Sequence, residues 1–198
     1  MQINIDKKTG ILLTIIGVLI GALFLIGAKE IFDREGNHRT NKMGGMHHSS
    51  SGGDITGSDA MFLQMMIPHH EQAIEMSDLA LQNSDNSEVR DLATKIRAEQ
   101  GPEIELMKSW SDSHMGSHAG HIMDGMLSDD EMNELKSARG AEFDRLFLEG
   151  MIKHHEGAIE MADDVVDSKN VEVSQLAKST IATQSAEIEY MKELLKRT

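Results

Sequence analysis

The chain has 198 residues, enough for one modest domain with an accessory segment, and its composition is uneven. It contains 15 methionines and 10 histidines but no cysteine, which excludes disulfide bonds, thiolate zinc sites and thiol chemistry. A formal net charge of −14 argues against nucleic-acid binding, because a phosphate-binding surface needs a basic patch. Two prolines, 4% aromatic residues and many helix-forming residues favour an all-α fold.

The N-terminal segment contains the longest apolar run of the chain. Residues 11–28 are uncharged and spell ILLTIIGVLIGALFLIGA. As a helix rising ~1.5 Å per residue, the run is roughly 27 Å long, close to the ~30 Å hydrocarbon core of a membrane. Residues 1–28 therefore predict a transmembrane anchor with the body of the protein on the extracytoplasmic face. The alternative is a cleaved signal peptide, for which Ile26-Gly27-Ala28 is a mediocre cleavage site.

The rest of the chain predicts a linker and a duplicated domain. Residues 29–57 are rich in glycine and serine and show no apolar period, which is typical of a flexible tether. Within the domain, residues 58–198, the segment FLQMMIPHHEQAIEM from Phe62 aligns with FLEGMIKHHEGAIEM from Phe147. Eleven of these fifteen positions are identical. The two copies of the repeat cover residues 58–110 and 143–197.

Each copy predicts a pair of helices joined by a polar turn. The turns, around residues 83–87 and 167–170, contain the Asn, Asp and Ser expected of connections. One helix pair cannot cover its own apolar stripe, whereas two antiparallel pairs can. The duplication therefore predicts a four-helix bundle.

Each copy carries the same His-His-Glu cluster on its first helix. Neighbouring residues on a helix point ~100° apart, so a metal site at this cluster needs further ligands. Methionines recur at the same offsets, and the second helix of each copy turns polar where an antiparallel pair brings it beside the histidines. The bundle residues predicted to bind metal are Met66, His69, His70, Met76, Glu103, Met107, Met151, His154, His155, Met161, Glu187 and Met191.

The connector between the copies, residues 111–128, is a second candidate for metal binding. Its sequence, SDSHMGSHAGHIMDGMLS, places histidines and methionines among glycines and serines, where exposed methionine has no packing role. The acidic residues that follow Ser128 suit the start of the next helix. The candidate ligands in the connector are His114, Met115, His118, His121, Met123 and Met126.

Imidazole and thioether ligands without thiolate predict copper, especially Cu(I), and by the same softness silver. Two alternatives remain open. One is a metal-dependent redox enzyme on a ferritin-like scaffold, but a di-iron bundle needs Glu-x-x-His motifs, and residues 58–198 contain none. The other is an interaction module whose histidines only pack the bundle. The pattern favours a metal-binding protein that is not an enzyme.

The duplicated motif M-I-x-H-H-x-x-A-I-x-M resembles a bacterial family known as domain of unknown function 305, DUF305, which includes periplasmic copper-binding proteins. The resemblance covers about residues 58–197. It implies an exported, ferritin-like four-helix bundle that binds copper through methionine and histidine and contributes to copper resistance. Matched by motif, the ligands it implies are Met66, His69, His70, Met76, Met151, His154, His155 and Met161. Together, motif and anchor predict a membrane-tethered protein that sequesters or buffers copper, with the connector as a capture arm.

Overall fold

The computed structural model describes residues 55, 57–111 and 123–198. These residues form five α-helices and no strand, which confirms the all-α prediction. Four of the helices are long, and the third in chain order is short. The helices are α1 (Gly57–Asn83), α2 (Ser87–Ser111), α3 (Asp129–Ser137), α4 (Gly140–Asp163) and α5 (Val171–Leu195).

None of these five helices is long and apolar enough to cross a membrane. The predicted anchor and nearly all of the predicted linker lie outside the described residues. The first helix begins at Gly57, the last residue of the predicted linker, and the short helix α3 was not expected as a separate element.

Two helical hairpins, α1–α2 and α4–α5, correspond to the two copies of the repeat, and their turns lie where the sequence predicted them. Residues 84–86 join the first hairpin and residues 164–170 the second. The Asn170 side chain caps α5 by accepting hydrogen bonds from the backbone N–H groups of Glu172 and Val173, at 3.0 and 3.1 Å. The hairpins pack together through α1 and α4.

The interior contains two apolar clusters, and each is built from both copies. Cluster A joins the second half of α1 to the first half of α4, and cluster B joins the first half of α1 to the second half of α4. Such an exchange of halves is what an approximate two-fold axis between the copies produces. Cluster A includes Met76, Ile96, Phe147, Met151 and Met191, and cluster B includes Phe62, Met66, Met107, Met161 and Val173.

The short helix α3 begins directly after Ser128, as the acidic residues there predicted, and its first turn has a capping box. The Ser128 side chain accepts a hydrogen bond from the Glu131 N–H at 3.3 Å, and the Glu131 carboxylate accepts one from the Ser128 N–H at 2.7 Å. Helix α3 ends at Ser137, and Gly140, with φ of +60°, lets the chain turn into α4. The capping box fixes the point where the connector ends.

Candidate metal centre

A polar layer containing the four histidines separates clusters A and B. His69, His70, His154 and His155 are all fully buried. The rings of His69 and His154 meet at the contact between α1 and α4, with centroids 3.7 Å apart and planes inclined by 38°. Equivalent residues of the two copies therefore face each other across the approximate two-fold axis. The repeat predicted one site in each copy and gave no indication of this pair between the copies.

The other histidine of each copy faces the second helix of its own hairpin. His70 Nε2 lies 2.8 Å from Glu103 Oε2, and His155 Nε2 lies 2.7 Å from Glu187 Oε2. These distances confirm that the two glutamates lie beside the histidines, as the antiparallel hairpins predicted. The ~100° between neighbouring helical residues thus divides each His-His pair between two different contacts.

Many nitrogen and oxygen atoms of the polar layer have no side-chain hydrogen-bond partner. They include both ring nitrogens of His69 and of His154, and Nδ1 of His70 and of His155. The buried Gln100 adds both of its amide atoms to this set. Leaving a buried polar group unpaired costs about 1–3 kcal/mol, so natural proteins have few such groups without a functional reason. The layer therefore offers several imidazole lone pairs in a buried interior, which suits a metal ion that prefers nitrogen ligands.

Burial keeps His69 and His154, the inner histidine pair, uncharged. It lowers the pKa of His69 from 6.5 to about 3, and repulsion by His70 and His155 acts in the same direction. A hydrogen-bonding contact with the Asp124 backbone acts to raise this pKa but is the smallest of these effects. Burial, followed by repulsion from His69, also lowers the pKa of His154 well below its usual value. Imidazole must be deprotonated to bind a metal, so both rings remain competent ligands in mildly acidic solution.

The two histidine–glutamate pairs differ in their surroundings. Lys95 Nζ lies 3.0 Å from Glu187 Oε1, across the gap between the hairpins, and 3.6 Å from Glu99 Oε1. Burial raises the pKa of Glu99 to about 8, with a further contribution from the Glu187 carboxylate. Burial also acts to raise the pKa of Glu187, but the hydrogen bond and charge of His155, with the charge of Lys95, hold that pKa at about 2.

The six predicted methionine ligands of the bundle are all buried and lie in the apolar clusters on either side of the polar layer. Their role as thioether ligands stays a prediction. Among the described residues, no group of three or more His, Asp or Glu side chains is arranged to hold a metal ion. Cluster A holds Met76, Met151 and Met191, and cluster B holds Met66, Met107 and Met161.

Part of the connector predicted over residues 111–128 is packed against the bundle, which corrects the expectation that its methionines are exposed. Ser111 is the last residue of α2, and residues 123–128 lie against α1 and α4. Met123 and Met126 are half-buried there. Of the predicted connector ligands, His114, Met115, His118 and His121 lie outside the described residues.

Gln72 and Gly157 hold the end of the connector in place. The Gln72 side chain accepts a hydrogen bond from the Leu127 N–H at 2.8 Å and donates one to the Leu127 carbonyl at 2.9 Å. At Gly157, a Cβ atom would lie 2.2 Å from the Asp124 carbonyl oxygen, so only glycine allows this approach. The two residues occupy the same position of the repeat, HHEQAIEM against HHEGAIEM. This difference within an otherwise identical octapeptide is the signal that the sequence analysis missed.

The Gln72→Ala substitution is expected to lower the free energy of unfolding by about 2 kcal/mol, because it removes two hydrogen bonds to one backbone unit. Urea denaturation of the wild type and the variant measures the loss. The Gln175→Ala substitution, at an exposed position of α5, is the matched control and is expected to change stability by less than about 0.5 kcal/mol. Equal effects of the two substitutions would contradict this role of Gln72.

The fold and its polar layer define a class of protein: a duplicated helical bundle with histidines buried between its two halves. The chain belongs to the DUF305 family, because the model of that family, a domain of unknown function, matches residues 59–195. Among curated proteins, no sequence matches the chain.

Solved structures of DUF305 proteins are similar to the chain. A DUF305 fragment from Deinococcus radiodurans is 30% identical, with a TM-score of 0.67, over 73% of this chain and 99% of that one. A DUF305 protein from Streptomyces coelicolor that is thought to be secreted is 31% identical, with a TM-score of 0.65, over 71% and 92%. CopM in its Cu(II)-bound form is 35% identical, with a TM-score of 0.60, over 70% and 96%. CopM has also been solved with Cu(I) and with silver.

Proposed function

We propose that this protein binds copper on the extracytoplasmic side of a membrane and sequesters or buffers it, with Cu(I) preferred and silver accepted. The observation that carries the proposal is the buried, uncharged pair His69 and His154, whose four ring nitrogens have no side-chain hydrogen-bond partner. The similarity to CopM, solved with Cu(I), Cu(II) and silver, supports the same ion class.

The inner histidine pair would supply two neutral nitrogen ligands from two helices. Methionines of clusters A and B border the polar layer, and their soft thioethers favour Cu(I) and Ag(I) over harder cations. Because the pair lies at the contact between α1 and α4, a bound ion would join the two hairpins. Binding would thus depend on the native packing of both copies.

We further propose that residues 11–28 anchor the protein in the membrane, with residues 29–57 as a tether. The sequence of the segment supports this proposal through its length and its lack of charge. The similarity to a DUF305 protein thought to be secreted supports the extracytoplasmic location. An anchored buffer would act at the membrane surface instead of diffusing freely.

Thermal unfolding tests the copper-binding proposal, because an ion that binds only the native bundle must raise its stability. At a free ion concentration one hundred times the Kd, the gain is about 2.7 kcal/mol, or roughly 5–10 °C in Tm for a domain of this size. We expect Ag(I), and Cu(I) under reducing conditions, to raise the Tm of the full chain by this amount. Ligands in the linker and connector contribute little, since they are present in the unfolded chain too.

The variant His69→Ala/His154→Ala is expected to lose this shift, measured against its own metal-free Tm. The matched control, His47→Ala/His48→Ala, removes two neighbouring histidines from the predicted linker and is expected to keep the full shift. If neither ion raises the Tm of the wild type, the proposed function is wrong. A full shift in the His69/His154 variant would show that the inner pair is not the site.

A further inference from the structure

The two histidine–glutamate pairs have the same chemistry and nearly the same geometry. His70–Glu103 and His155–Glu187 each join an imidazole nitrogen to a carboxylate oxygen, at 2.8 and 2.7 Å. Imidazole with carboxylate is a ligand set suited to borderline divalent cations such as Zn(II) and Cu(II). By the repeat alone, the two pairs would be equivalent sites.

Lys95 makes the surroundings of the two pairs different. Its ammonium group lies 3.0 Å from Glu187 Oε1, the carboxylate oxygen that His155 does not contact. A positive charge is therefore already bound to the carboxylate that a metal cation would need as a ligand. Within residues 57–111 and 123–198, no lysine or arginine forms a salt bridge with Glu103.

The two glutamates also differ in their access to solvent. The Glu103 side chain is 18% exposed, whereas the Glu187 side chain is 3% exposed. Part of the Glu103 side chain faces solvent, so an ion from solution can approach this pair from the glutamate side, whereas His70 is fully buried. To reach Glu187, it must displace Lys95 and leave that ammonium group without its closest carboxylate.

The difference between the pairs arises from two positions on the second helices. In the alignment of the copies, Lys95 corresponds to Ser179 and Glu99 to Thr183. Lys95 lies 3.6 Å from Glu99 and 3.0 Å from Glu187, so the three side chains form one unit. The second copy has no charged residue at either position. The asymmetry is thus a property of α2 and not of the His-His-Glu cluster.

We propose that Lys95 determines which copy binds a divalent cation: such an ion binds at His70–Glu103 and is excluded from His155–Glu187. The inference rests on the proposed metal-binding function and adds that the two copies have unequal roles. The first pair is an exchangeable site that an ion reaches from the solvent-facing side of Glu103. The second pair is a structural ion-pair network in which Lys95 takes the place of a metal.

Zn(II) is a suitable probe because it is diamagnetic and binds imidazole and carboxylate. In the full chain labelled with 15N-histidine, NMR titration follows the ring nitrogens of His70 and His155 separately. We expect the His70 signals to shift at a Zn(II) concentration at least tenfold below that needed for His155. The variants His70→Ala and His155→Ala assign the signals.

Exchange of the two repeat positions is the decisive comparison. Lys95→Ser is expected to open the second pair, so that His155 responds within about threefold of His70. Lys95→Ser/Ser179→Lys is expected to reverse the preference. The control Lys108→Ser removes a lysine of the same helix and similar exposure, paired with Glu71 at 2.9 Å, and is expected to leave the preference unchanged.

Three results would overturn the inference: equal responses of His70 and His155 in the wild type, an unchanged preference in Lys95→Ser, or no response of either ring. None of these results bears on the stabilisation by Ag(I) and Cu(I) at His69 and His154, which is measured separately by thermal unfolding. Failure of that stabilisation would instead reject the proposed function. The two experiments therefore distinguish the two proposals.

Discussion

Acidification of the metal-free protein from pH 6.5 is expected to reduce its free energy of unfolding steeply, because the unfolded chain binds protons that the folded chain does not bind. The pKa of His69 is about 3 in the folded protein, against an ordinary value of 6.5. Between these pH values the unfolded state binds more protons, so stability falls as the pH falls. At about 1.4 kcal/mol per pH unit, His69 alone accounts for up to about 5 kcal/mol by pH 3.

His154 acts in the same direction, since burial also lowers its pKa. Urea denaturation at pH 7, 6 and 5 measures the slope. The variant His69→Gln/His154→Gln removes both titrating groups and is expected to lose most of it. The pKa of Glu99 is raised from 4.5 to about 8, so between these pH values this residue stabilises the folded protein as the pH falls. Glu99 is present in both proteins, and its effect therefore cancels in the difference. Parallel slopes for wild type and variant would refute the uncharged state of the inner pair.

The Gly157→Ala substitution is expected to destabilise the protein by about 2–3 kcal/mol and to detach the end of the connector. The new Cβ would lie 2.2 Å from the Asp124 carbonyl oxygen and 2.8 Å from the Gly125 Cα. Both atoms belong to the backbone, so the connector must shift away from α4. Gly125 has a φ of +84°, a backbone conformation that residues other than glycine rarely adopt. This conformation limits how the segment can adjust.

Gly101→Ala is the matched control, because Gly101 also lies inside a long helix but an added Cβ would meet no neighbouring segment within 4 Å. There the higher helix propensity of alanine is offset by the crowding that Pro102 imposes on the residue before it, so stability is expected to change by less than about 1 kcal/mol. Gly150→Ala is expected to be nearly neutral, since its closest neighbours, at 3.2–3.3 Å, are the side-chain ends of Leu127 and Met76. Urea denaturation ranks the three variants, and limited proteolysis reports detachment of the connector. A stable Gly157→Ala variant with a protected connector would contradict the packing described.

Local patterns in the sequence were sufficient to predict the two helical hairpins and part of the candidate site. The repeat and the polar turns predicted the two hairpins, because helices and turns depend on nearby residues. The position of Glu103 and Glu187 beside the histidines followed from antiparallel pairing within one hairpin. The ferritin-like topology and the metal role of the predicted ligands stay predictions.

Contacts between the hairpins were beyond what the sequence could predict. The pairing of His69 with His154 depends on the two-fold packing of α1 on α4, and the contact of Lys95 with Glu187 joins residues 92 apart in sequence. No periodic pattern within one helix reports such contacts. The packing of the connector on Gly157 is likewise a contact between distant backbone segments, signalled only by a glycine in the second copy.

The exchange of halves between clusters A and B has a consequence for how such a protein can arise. Neither hairpin completes a cluster by itself, so one copy alone would leave two half-cores exposed to water. Two identical hairpins related by a two-fold axis would complete both, as in a symmetric homodimer. The present chain is equivalent to such a dimer fused into one polypeptide. Fusion frees the two halves to diverge, and Lys95, Gln72 and Gly157 are positions where they have done so.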